Sequence, residues 1–143
     1  TGGLEVDEVF APQPAIIHLA DDIDISRGDT IVKSDNLPMI NNELEVLLCW
    51  MDEKPLQPGN KYLLQHNSRL VKSSIKKIEY KLDVNSLQKQ PAEGGVKLNE
   101  VVKVIIKTAS PLVYDSYSKL NANGSAVLID ETSNNTVAAV LFQ

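Results

Sequence analysis

Apolar side chains in this chain recur with period two, and no stretch of helix length carries the 3.6-residue period of a helix. The run Val101 to Thr108 is the strongest case. Val102, Val104 and Ile106 share one face there, while Lys103 and Lys107 share the other. Alternation of this kind predicts half-buried strands. Many short strands, separated by turn signals every ~8–12 residues, predict a closed barrel or a sandwich. The fold class is therefore all-β. The 5% of aromatic residues leaves a core built mainly from Val, Ile and Leu, which suit a pleated surface.

The strands can be placed one by one. Leu4 to Phe10 and Ala15 to Leu19 give one or two strands, Asp21 to Asp24 an acidic loop, and Arg27-Gly28-Asp29 a turn before a short strand at Thr30 to Val32. Ser34 to Asn42, with Pro38, is a linker between two units. Further strands are expected at Leu44 to Met51, Lys61 to Gln65, Arg69 to Leu82, Leu112 to Tyr114, Ala126 to Ile129 and Thr136 to Phe142. Pro55, Pro58 and Gly59 mark the first connection of the second unit, and Asn123-Gly124 carries a hairpin signal.

Arg69 to Leu82 contains a defect. Val71 and Ile75 share one strand face, whereas Ile78, Tyr80 and Leu82 share the other. A straight strand cannot send both sets into one core. A bulge between Ile75 and Ile78 reconciles them, and barrels use such bends to turn corners.

A net charge of −5 argues against a dedicated nucleic-acid partner, because phosphate binding requires a surplus of Lys and Arg. No apolar run approaches the ~20 residues of a membrane span, and the opening residues lack a secretion signal's basic flank and apolar segment. The single cysteine, Cys49, forms no internal disulfide. A cytoplasmic location, with no membrane partner, is the expectation.

No catalytic constellation stands out. There is no GxxxxGK[ST] loop and no GxGxxG turn. His18 and His66 have no neighbouring cysteine with which to hold zinc. Cys49 lies inside an apolar strand, where a thiolate is disfavoured, and is read as a packing residue. Asp21, Asp22 and Asp24 lack the ligand spacing of a calcium loop. The basic stretch Arg69, Lys72, Lys76, Lys77 and Lys81 is read as a solvated strand face, with a docking surface for an acidic partner as the sharper alternative. A different feature points to a partner. Leu44, Val46, Leu48 and Trp50 fill one face of their strand, and Leu47, Cys49 and Met51 make the opposite face apolar as well. A barrel strand with two apolar faces needs cover on its outside, from the first unit of this chain, from a further domain or from another subunit.

Asp24 to Asp29, Trp50-Met51, Pro58-Gly59 and Tyr114-Asp115, taken in order, resemble segments of the large, GTP-hydrolysing subunit of bacterial sulfate adenylyltransferase. Asp24-Ile25-Ser26-Arg27-Gly28-Asp29 is similar to the turn that closes the second domain of translation-factor-like GTPases. Trp50-Met51, Pro55-Leu56, Pro58-Gly59 and Tyr62 match the subunit's third domain in order and spacing, as do Tyr80, Val84-Asn85 and Leu87. Asn99-Glu100-Val101, Pro111-Leu112, Tyr114-Asp115, Tyr117 and Ile129-Asp130 continue the match, followed by Thr132-Ser133-Asn134 and Thr136-Val137. The resemblance runs from about Ala11 onward. Glu131 departs from the family's usual Arg, and Ala138 and Ala139 depart from its Gly, which puts in doubt a local ion pair and close backbone packing at the last hairpin.

The resemblance implies an elongation factor Tu-like architecture. Residues 1–36 would be the last strands of a second-domain barrel with its linker. Residues 37–143 would be a Greek-key third-domain barrel. The GTPase domain, with its GTP and Mg sites, would lie upstream. No cofactor would bind this region and no residue in it would be catalytic or hold a metal. It would serve as scaffold and coupling surface toward that GTPase domain and toward the small catalytic subunit, which forms adenylylsulfate from ATP and sulfate. Arg27, Gly28, Asp29, Leu47, Cys49, Trp50, Met51 and Gly59 are the expected structural or interface residues. The rival expectations are an RNA-binding barrel of another translation-type GTPase and a stand-alone binding module.

Overall fold

The structure, a computed structural model, describes residues 5–143. Its strands are β1 (Met39–Trp50), β2 (Lys61–His66), β3 (Arg69–Leu82), the two-residue β4 (Lys89–Gln90), β5 (Val101–Tyr114), β6 (Ser125–Ile129) and β7 (Thr136–Phe142). All pair antiparallel, in the order β2-β6-β7-β1-β5-β3-β4, and a β2–β3 pairing closes six of them into a barrel. Closure leaves those six strands with no free edge. The connections β1 to β2 and β5 to β6 join strands that are not neighbours, which gives the barrel its Greek-key path.

Period two does what the sequence requires. Leu44, Val46, Leu48 and Trp50 of β1 point inward, at 0–1% exposure. They meet Val102, Val104 and Ile106 of β5, and Val137, Val140 and Phe142 of β7. The expected bulge in β3 is present: its register against β5 shifts between Ile75 and Lys77, and again between Ile78 and Tyr80. Val71 and Ile75 are buried before the bend, and Ile78 packs against the same core after it.

Four local expectations are corrected. β1 starts at Met39, inside the expected linker, because Met39, Ile40 and Asn41 find ladder partners in Tyr114, Val113 and Leu112. The strands expected at Val101 to Thr108 and Leu112 to Tyr114 are one strand, β5, kinked where Thr108 Oγ1 bonds the carbonyls of Asn42 (3.3 Å) and Ser110 (2.8 Å). Asn123-Gly124 is no two-residue hairpin: a short 3-10 turn, Asn121–Asn123, precedes β6. Finally, Ala15 to Leu19 and Thr30 to Val32 join no ladder, since no strand among the described residues offers them backbone partners. Leu4, which opens a further expected strand to Phe10, lies outside the described residues.

Candidate functional site

The outer wall of the barrel carries an apolar band. Leu47 stands opposite Leu141 of β7 and Lys103 of β5, and Cys49 stands opposite Ala139 and Val101. Ala139 in turn faces Val127 of β6. All six of these apolar residues are only partly buried, so the side chains alternate out of the core and leave a continuous apolar strip over β5, β1, β7 and β6. Met51 extends it at 47% exposure. The charges beside this strip are paired within the barrel: Lys103 with Glu45 at 3.0 Å and Lys81 with Glu100 at 2.8 Å.

Pairing also accounts for most of the basic stretch. Lys76 holds Glu43 at 2.7 Å and Lys72 reaches Glu131 at 3.7 Å. Arg69 bonds Ser110 Oγ at 3.3 Å. Among the described residues no ion pair forms at Lys77. Cations matched by carboxylates on neighbouring strands present little net field, and exposed pairs of this kind contribute about 0–1 kcal/mol each. The solvated-face reading therefore describes this stretch better than a docking site for an acidic partner. Glu131, the departure from the family pattern, sits in this network.

Trp50 belongs to the core. Its ring is 1% exposed, meets Tyr62 edge-on at 5.7 Å, and its Nε1–H donates to the Lys54 carbonyl at 2.9 Å. That bond closes the β1–β2 connection over the upper end of the barrel. Burial, followed by the charges of Asp130 and Asp52, pushes the Tyr62 phenol up to about 12. Gly59 caps the same connection at φ +86°, where an L side chain is strained, and its N–H bonds the Ile75 carbonyl at 2.8 Å. Arg27, Gly28 and Asp29 form a turn near the opposite end, with Ser26 N–H donating to Asp29 Oδ2 at 2.8 Å. The expected residues thus fall in three places: Trp50 and Gly59 at the upper end, Leu47, Cys49 and Met51 on the outer wall, and the Arg27–Asp29 turn at the lower end.

A polar network at the lower end was not anticipated. His66, 3% exposed, donates from Nε2 to the Asn123 carbonyl at 3.1 Å and packs edge-on against Phe142 at 5.2 Å. Asn67 donates to Asn123 Oδ1 at 3.0 Å, and Asn123 donates to Asp115 Oδ2 at 2.9 Å. Lys119 pairs with Asp115 at 3.1 Å. The Asn123 bond, opposed by burial and aided by Lys119, holds the Asp115 carboxyl below its usual range. The only sequence signal was the histidine in a strand; its hydrogen-bond acceptor, Asn123, lies 57 residues away and no spacing rule joins the two.

Burial pushes the His66 imidazole below its ordinary 6.5, the Asn123 carbonyl opposes the shift, and Arg69 adds to it. The unfolded chain therefore binds a proton that the folded barrel resists. Stability is full above that ordinary value and falls as pH drops below it. The thermal midpoint is expected to decline between pH 7.5 and pH 5.5, and His66→Gln, which keeps an N–H donor, is expected to flatten that decline. Equal slopes for both proteins in this window would assign the effect elsewhere.

Among the described residues no group of three or more His, Cys, Asp or Glu side chains is placed to hold a metal ion, and no helix is long and apolar enough to cross a membrane.

Comparison with known proteins places this geometry. The family model described as GTP-eEF1A C-terminal domain-like matches residues 43–142. The chain is 43% identical over 135 residues to the bifunctional enzyme CysN/CysC of Mycobacterium tuberculosis, covering 94% of this chain and 22% of that protein. It is 35% identical over 142 residues to sulfate adenylyltransferase subunit 1 of Bacteroides thetaiotaomicron, covering 94% of this chain and 29% of that one. The chain thus spans less than a third of the length of these relatives. Among solved structures it superposes on Sup35 complexed with GDP with a TM-score of 0.67 at 15% identity, covering 76% of this chain and 26% of Sup35. That likeness shows the fold alone.

Proposed function

The chain belongs to the GTP-eEF1A C-terminal domain-like family, and from that premise we propose that it is the third-domain barrel of a GTP-hydrolysing sulfate adenylyltransferase subunit, with the end of a second barrel before it. The observation that carries this reading is the 43% identity to a CysN/CysC enzyme along 94% of the chain. Residues 1–36 are then the tail of the second barrel and its linker. Residues 37–143 are the third barrel.

In this reading the barrel does no chemistry. GTP and Mg bind the GTPase domain, and adenylylsulfate forms on the small subunit, in the cytoplasm. The barrel works by being rigid. A closed six-strand wall holds its outer strip in one place and carries movement of the GTPase domain to the small subunit without deforming. The strip of Leu47, Cys49, Val101, Ala139 and Leu141 supports this role: its rim charges are already paired, so an apolar partner face is covered without stranding a charge.

Leu47→Glu in the complete subunit is expected to weaken co-purification of the small subunit by more than about tenfold, because it places a carboxylate at the centre of the strip. Undiminished co-purification would remove the strip from the interface. Calorimetry of this chain with GTP or ATP is expected to show no stoichiometric heat, and binding of either would overturn the assignment of nucleotide chemistry to the rest of the protein.

A further inference from the structure

The segment before Met39 touches the barrel sparingly. Among its described residues only Gly28 and Pro38 are even partly buried, while apolar side chains such as Phe10, Ile16 and Ile17 stand 69–87% exposed. At Gly28 the contact is close. A Cβ there would lie 2.9 Å from Arg69 Cγ and 3.4 Å from Cδ, and the residue sits at φ +101°, a conformation that favours glycine. The turn is closed on itself, with Asp29 N–H donating to the Ser26 carbonyl at 3.0 Å and Ser26 N–H to Asp29 Oδ2 at 2.8 Å. Arg69 is held from behind, its Nη2 donating to Ser110 Oγ at the kink of β5. Beside the contact a cavity of about 330 Å³ lies between Asp29 to Ile31 and the residues His66 to Ser68, so the chain bridges the barrel there rather than packing down on it.

We propose that the Ser26–Asp29 turn is a latch and Arg69 its catch. Latched, the turn fixes the direction in which the preceding apolar segment leaves the barrel. Released, it frees that segment while every strand of the barrel stays paired. A contact carried by one glycine and one arginine stem opens at small cost, as a two-position element must. The latch rests on this contact and stands whether or not the sulfate adenylyltransferase reading holds.

The test is tryptic cleavage of the whole chain at Arg27 and Lys33, with the barrel followed separately by its thermal unfolding. Gly28→Ala and Arg69→Ala are each expected to speed cleavage at both sites about tenfold, because cleavage tracks the open population, with the barrel's midpoint little changed. Wild-type cleavage as fast as in either variant would overturn the latch. So would acceleration that appears only when the barrel itself unfolds. Arg69→Ala keeps the test decisive where Gly28→Ala fails to fold.

Discussion

Gly124→Ala is expected to destabilise the barrel by about 3 kcal/mol or more, the upper range for forcing atoms into a filled site. A methyl group at this position would lie 2.4 Å from Tyr117 Cα, 2.7 Å from Tyr117 N and 2.9 Å from the Leu120 carbonyl. These are backbone atoms of the β5–β6 connection, so no rotamer change relieves the overlap. The connection is also pinned: Tyr117 N–H donates to the Phe142 carbonyl, and Phe142 N–H to the Gly124 carbonyl, both at 2.9 Å. Accommodating alanine therefore pulls the end of β7 away from the loop. The glycine is needed for close approach and not for its backbone angle, since its φ is −102°. Chemical denaturation of the variant beside the parent measures the loss. A change below about 1 kcal/mol would mean that the loop relaxes freely.

Trp50→Ala is expected to remove about 3–5 kcal/mol, the range for truncating a large buried aromatic. The side chain is 1% exposed and fills the upper end of the barrel against Tyr62. It also holds the β1–β2 connection through its bond to Lys54, and its backbone exchanges bonds with Asn99 and Glu100 at 2.8 and 3.0 Å. Trp50→Phe keeps most of the volume and loses the N–H donor. Its smaller deficit separates packing from the capping bond. For a barrel of this size each 1 kcal/mol corresponds to a fall of roughly 4–8 °C in midpoint, so the alanine variant should melt well below the parent.

The all-β class and the strands of the barrel were legible because period two leaves a strong imprint. The bulge in β3 was legible for the same reason: a change of face between Val71 and Ile78 has only one remedy in a continuous strand. The apolar strip showed through the two-sided pattern of Leu44 to Met51. Other features depend on which elements meet. The single β5 was split at Pro111 because proline breaks most ladders; here Thr108 and Ser110 absorb the kink. The Asn123-Gly124 pair suggested a tight hairpin, whereas the glycine answers to Tyr117, a contact no local rule contains. The lower-end network joins His66 at the end of β2 to Asn123 and Asp115 of the β5–β6 connection, so only the closed structure reveals it. Ala15 to Leu19 reads as a strand yet pairs with nothing described, because alternation marks a tendency and a ladder needs a second backbone.

We propose that this barrel couples one subunit's GTP hydrolysis to chemistry performed on another. The most direct measurement follows GTP hydrolysis and adenylylsulfate formation together in the complete two-subunit enzyme, with and without Leu47→Glu in the barrel. With such coupling, the variant is expected still to hydrolyse GTP while adenylylsulfate formation loses its GTP dependence. Unchanged coupling in a variant whose barrel is folded would contradict it.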